Sequence, residues 1–100
     1  SRKAARVIKG YMFPVQLEHS IIVAICTSLG WKVKEKGHHT FIHCGDHTEK
    51  EVGKKKGCRL PSAAGEMVTW HRLMGVFGSQ NGFGKKKQFQ IGYLKYIGKL

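Results

Sequence analysis

Hydrophobic and polar positions change period along this chain, and each change marks a new element. Leu17, Ile21, Ile25 and Leu29 recur every four residues, Ile22 and Ala24 widen the stripe, and Gln16, Glu18 and Ser20 fall largely off it. That spacing predicts an amphipathic helix packed on a core. Pro14 suits its first turn, where a missing N–H is harmless, and Gly30 stands where a C-cap glycine belongs. The period then drops from 3.6 to 2. Trp31, Val33 and Glu35 alternate with Lys32, Lys34 and Lys36, which predicts a strand with a lysine face. Gly37-His38 reads as a turn, and residues 39–44, rich in β-favouring types, as the second strand. Cys58-Arg59-Leu60 reads as a short third strand ended by Pro61.

Helical spacing returns at Met67, Trp70, Leu73 or Met74, and Phe77, with Ser62 as a candidate N-cap, Gly65 as a residue that delays the start, and Gly78 as the stop. Phe89, Ile91 and Tyr93 alternate near the end, and either a strand or a short helix fits residues 88–100. The expected fold is α+β in the order α-β-β-β-α. It is a three-stranded antiparallel sheet with two helices on one face, so that both apolar stripes are buried together. Residues 14–78 form that domain. Residues 1–13 read as a basic N-terminal arm and residues 79–100 as a basic, Gly/Lys-rich C-terminal extension.

Charge decides what class of partner to look for. The chain has 100 residues, 18 Lys plus Arg, 6 Asp plus Glu and a formal net charge of +12. Solubility alone needs a net charge of only about 2–8 in a small domain, so the surplus points to a polyanion, and phosphate backbones are the commonest. The basic residues cluster. Arg2, Lys3, Arg6 and Lys9 lie in the arm, Lys54, Lys55 and Lys56 in a loop, and Lys85, Lys86 and Lys87 in a glycine-rich loop. Lys32, Lys34 and Lys36 are the most ordered set, spaced at about 6.6 Å, twice the strand rise and close to the phosphate repeat of one nucleic-acid strand. Tyr11, Phe83, Tyr93 and Tyr96 lie in basic segments and are candidates for stacking on bases. Trp31 and Trp70 lie on apolar stripes and are expected in the core.

The expected function is therefore nucleic-acid binding, RNA before DNA, through these lysine clusters and the phosphate backbone. A place in a ribonucleoprotein assembly with protein partners is a variant of the same reading. No cofactor and no membrane partner are expected, because no apolar run approaches the ~18–20 residues that span a bilayer. Three cysteines, an odd number, lead us to expect a reducing, intracellular compartment rather than a disulfide framework. A phage- or plasmid-type DNA-binding regulator is an alternative, although no helix pair suits the major groove.

The stretch from Leu29-Gly30-Trp31 through Lys32-Val33-Lys34-Glu35-Lys36 to Gly37-His38-His39-Thr40-Phe41-Ile42-His43 resembles the HicA family of mRNA-interferase toxins. In that family a helix ends in Gly and an aromatic, a basic strand follows, and Gly-Ser-His opens the next strand. Leu60-Pro61 and the helix around Met67 to Phe77 take corresponding places, so the resemblance covers residues 14–78. It implies a fold like that of double-stranded-RNA-binding domains. It also implies a metal-independent endoribonuclease in which His38 or His39 is the acid or base and nearby lysines hold the phosphate. Here the serine is missing, which shifts the register by one and leaves the choice between the two histidines open, and the loop at 45–57 is longer. Read without the resemblance, both are exposed hairpin histidines.

Cys44-Gly45-Asp46-His47 is a C-x2-H step, with Cys58 further on. Cys44, His47 and Cys58, completed by His38, His39, His43 or His71, would make a tetrahedral zinc site. No second tight knuckle follows Cys58, so a buried cysteine and solvated histidines are the default expectation and a metal the alternative.

Overall fold

The β strands and helices of a computed structural model are best understood from how Leu17 and Val68 meet. The structure describes residues 2–43, 58–61, 65–78 and 84–100. Elements run α1 (Arg2–Gly10), β1 (Gln16–Glu18), α2 (His19–Ser28), β2 (Lys32–Lys36), β3 (His39–His43), β4 (Cys58–Arg59), β5 (Met67–Thr69), α3 (Trp70–Phe77) and α4 (Lys86–Tyr96). Among the described residues the protein is thus α+β, with four helices and two small antiparallel sheets. One sheet pairs β1 with β5, with Leu17 opposite Val68 and both buried. Each of its strands runs straight into a helix. The His19 N–H donates to the Glu66 carbonyl at 2.9 Å and the Trp70 N–H to the Val15 carbonyl at 2.8 Å, so β1–α2 and β5–α3 start in matching ways.

That pairing corrects two expectations. Pro14 precedes a strand instead of opening a helix, and α2 begins only at His19. Met67, expected on a helical stripe, lies in β5 and is 49% exposed. In both places a three-residue strand takes the residues because Leu17 and Val68 bury each other across the ladder. Thr69 then caps α3, its hydroxyl accepting from the Arg72 N–H at 3.2 Å. The proposed cap Ser62 lies outside the described residues.

Where α2 ends, the sequence reading holds. Gly30 has φ +80, its N–H reaches the Thr27 carbonyl at 3.0 Å and the Trp31 N–H reaches the Cys26 carbonyl at 3.1 Å. This is the paired-bond glycine cap that satisfies the last carbonyls of a helix. On α2 the buried side chains are His19, Ile22, Ile25 and Cys26, while Ala24 faces out.

The second sheet has the order β2-β3-β4, all antiparallel. Its inner face packs Ile42, fully buried, and half-buried Val33 toward the core. The Thr40 hydroxyl lies 3.3 Å from His19 Nε2, a hydrogen-bond contact tying β3 to the start of α2. β4 is only two residues long, and a separate β1–β5 sheet and two further helices stand beside the expected arrangement.

Both supposed basic extensions contain helix. α1 buries Ala4 and half-buries Val7 and Ile8 while Arg2, Lys3, Arg6 and Lys9 stay exposed. Apolar residues three and four apart give this helix a face that rests against α4. Residues 88–96, left open between strand and helix, are helical. Phe89, Tyr93 and Leu94 are buried, and Phe89 stacks on Phe77 with ring centroids 4.5 Å apart. Gly92 lets α4 approach α2 closely: a Cβ there would lie 3.0 Å from Leu29 Cγ and 3.1 Å from Ile25 Cγ2. Core packing thus overrides the weak local pattern.

Tyr93 also belongs to an aromatic cluster with Tyr11, Phe13 and Trp70, and Phe13 stacks on Trp70 at 4.5 Å. Burial, then a hydrogen bond with Tyr11 and the Tyr11 charge, raises the Tyr93 phenol above its ordinary 10.0. The folded state therefore keeps this proton to higher pH than the unfolded chain. The stability it contributes is complete below about pH 10 and is lost as pH rises through the folded value. Thermal melts from about pH 8 to about pH 11 should show a falling Tm above about 10, and Tyr93→Phe should flatten that fall. An equally steep fall in the variant would assign the alkaline loss to other groups.

Candidate nucleic-acid interface

Five residues of alternating Lys and non-Lys type make β2, and a two-residue turn makes its partner. Gly37 takes φ +59, and among the described residues no non-glycine residue has positive φ. A glycine at the first central position is what a II′ hairpin turn requires, and its twist matches the flanking strands. The turn fixes the register: Lys36 faces His39, Lys34 faces Phe41 and Lys32 faces His43. Residues directly opposite in an antiparallel pair project to the same side. On β3's other side, Phe41 pairs with Arg59.

One side of this sheet is therefore cationic. Lys32, Lys34, Lys36, His39 and Arg59 are exposed, Phe41 is half-buried at the centre, and His43 is buried at the end near Lys32. His39 and Phe41 meet edge-on, with centroids 6.4 Å apart and planes at 69°. Glu35 pairs with Thr40 and so points to the opposite side. Adjacent strands lie about 4.8 Å apart, so the Lys34 and Arg59 strands are separated by roughly 10 Å with the phenyl ring between them. Such a surface can hold phosphates by charge and offer an apolar ring to whatever lies between them.

The remaining candidates are distributed as follows. His38 is exposed at the hairpin tip, and His39 lies on the lysine side. Arg2, Lys3, Arg6 and Lys9 are exposed on α1, which is a packed helix and not an arm. Lys85 precedes α4, and its N–H donates to the Phe77 carbonyl at 2.7 Å. Lys86 and Lys87, expected in a loop, occupy the first turn of α4 and line an open depression with Gly78, Gly84 and Gln90. Lys54, Lys55, Lys56, Cys44, His47 and Phe83 lie outside the described residues, as does the side chain of Cys58. Among the described residues, no three His, Cys, Asp or Glu side chains gather as metal ligands would, and no helix is long and apolar enough to cross a membrane.

The chain matches no family model, no curated protein and no solved structure. Geometry alone therefore bears on the site.

Two stacking candidates are corrected. Tyr93 is 7% exposed and Tyr11 is held edge-on to Phe13 and Tyr93, so both are packing residues, whereas Tyr96 is 53% exposed. Trp31 joins the core as expected, and Trp70, half-buried, packs against it. Phe41 and Arg59 were missed. For Phe41 the signal was present in the two-residue turn, which places it across from Lys34 once Gly37-His38 is accepted as the whole loop; for Arg59 only the β3–β4 pairing supplies it.

Proposed function

We propose that this chain is a nucleic-acid-binding domain, RNA before DNA, that holds phosphates on the β2-β3-β4 face. The supporting observation is the register that gathers Lys32, Lys34, Lys36 and Arg59 on one side of the sheet while Glu35 points away. An open sheet bearing charge suits RNA segments better than major-groove readout, which a helix or a ribbon performs. The finer reading is a fold like that of double-stranded-RNA-binding domains, supported by the order α2-β2-β3-β4 followed by α3, with α1, α4 and the β1–β5 pair as additions. A ribonucleoprotein assembly in a reducing compartment remains the setting we favour.

A HicA-like endoribonuclease is the second reading. The placement of His39 on the lysine side, across from Lys36, favours it, because an acid or base and phosphate-holding cations would share one surface. Binding alone is the reading adopted, since it needs nothing beyond the charges and the ring. A labelled RNA hairpin titrated at about 50 and about 200 mM salt tests it. Four neutralised phosphates give a roughly 50- to 150-fold loss of affinity over that range. An affinity that does not move with salt overturns the electrostatic account.

A further inference from the structure

We propose that the β2-β3-β4 face takes an unpaired strand of RNA, with one base stacked on Phe41 and the phosphates on either side held by Lys34 and Arg59. The inference rests on the nucleic-acid reading above and names the form of the ligand. Its ground is the position of Phe41. It is the apolar member of the cationic side, with Lys34 directly across on β2 and Arg59 directly across on β4. Thr40 and Ile42, its neighbours in sequence, are buried on the other side, so the ring is turned away from the core.

A ring in that place does nothing for a duplex. Stacked base pairs hide their faces, and a flat sheet laid on a duplex meets phosphates and sugars only. An unpaired base exposes its face, and stacking on an aromatic ring is tolerant of base identity. Charge then does the positioning, because Lys34 and Arg59 flank the ring on the neighbouring strands, roughly 10 Å apart, and their long side chains reach toward the phosphates on either side of the stacked nucleotide.

The geometry also limits the number of stacked bases. His39 stands at 69° to Phe41, so the two rings do not both lie flat beneath consecutive bases. His39 instead walls one side of a single stacking position. One stacked base with phosphate contacts on both flanks implies weak sequence preference and a strong preference for single strands.

The test compares a fluorescein-labelled oligouridine of about ten nucleotides with a blunt RNA duplex of equal length, each at about 50 and about 200 mM salt, by anisotropy. Wild type should bind the single strand more tightly. Phe41→Leu keeps an apolar, strand-compatible side chain but removes the ring. It should weaken oligouridine binding between about five- and a hundredfold and change duplex binding less than about twofold. Phe41→Trp keeps a stacking surface and should bind oligouridine at least as tightly as wild type, with circular dichroism confirming both folds. Equal weakening on both probes by Phe41→Leu, no weakening on either, or a loss with a folded Phe41→Trp overturns the stacking proposal while the phosphate-holding face stands. Absence of salt-sensitive binding to either probe by wild type overturns the nucleic-acid reading itself.

Discussion

Replacing Phe89 with alanine should lower stability by about 3–5 kcal/mol, the range for removing a buried phenyl ring. Phe89 is fully buried, stacks on Phe77 at 4.5 Å and lies 5.7 Å from Trp70. Deleting the ring leaves a void between α3 and α4, and both helices lose contacts that partial collapse cannot restore. For a domain of this size the whole stability is only about 5–15 kcal/mol, so the variant should sit near its unfolding threshold at ambient temperature. Urea denaturation with tryptophan emission as the probe measures the change. Tyr96→Ala, at an exposed position on the same helix, should move stability by less than about 0.5 kcal/mol. If Phe89→Ala denatures at the wild-type midpoint, α4 is not part of the core.

The largest functional effect is expected from changing Lys32, Lys34 and Lys36 together to Gln. All three are exposed on β2, so the fold should survive. With three phosphate contacts gone, the slope of log affinity against log salt for a single strand should flatten by about 2, and affinity at about 0.15 M salt should fall roughly fiftyfold. The same change at Lys85, Lys86 and Lys87 should weaken binding less. It should also stabilise α4 slightly, because cations in a first turn oppose the helix dipole. Equal losses from both triples would mean that net charge, and no particular surface, governs binding.

The lysine strand could be read from the sequence because its pattern is local and redundant. Alternation, a glycine suited to a tight turn and β-favouring residues all point to one hairpin. Gly30 was readable for the same reason, since a left-handed residue after an apolar stripe has few other uses. Leu17 was misread because it fits a four-residue repeat with Ile21 as well as a strand, and only Val68, far along the chain, decides between them. Phe89 and Tyr93 satisfy a period of two through Ile91 and a period of four directly. What settles the matter is the close approach of Gly92 to Ile25 and Leu29, which no window of sequence contains. α1 was hidden by its charges, whose density obscured the spacing of Ala4, Val7 and Ile8. Within the candidate site the charges were legible residue by residue, but Phe41 and Arg59 required pairing across strands, a property of register and not of composition.

Gly92 has one more consequence, for the order in which the fold is completed. The α2 surface that it covers, at Ile25 and Leu29, stands far ahead of its cover in the sequence. During synthesis, which proceeds from the N-terminus, Ile25 and the ring of Phe77 wait for residues 86–96 before they can be sealed from water. Contacts of such long sequence separation slow folding, since a large loop must close before any reward is gained. Closure of this core therefore waits on α4, and until α4 is made the nascent chain presents an apolar seam beside a dense positive charge.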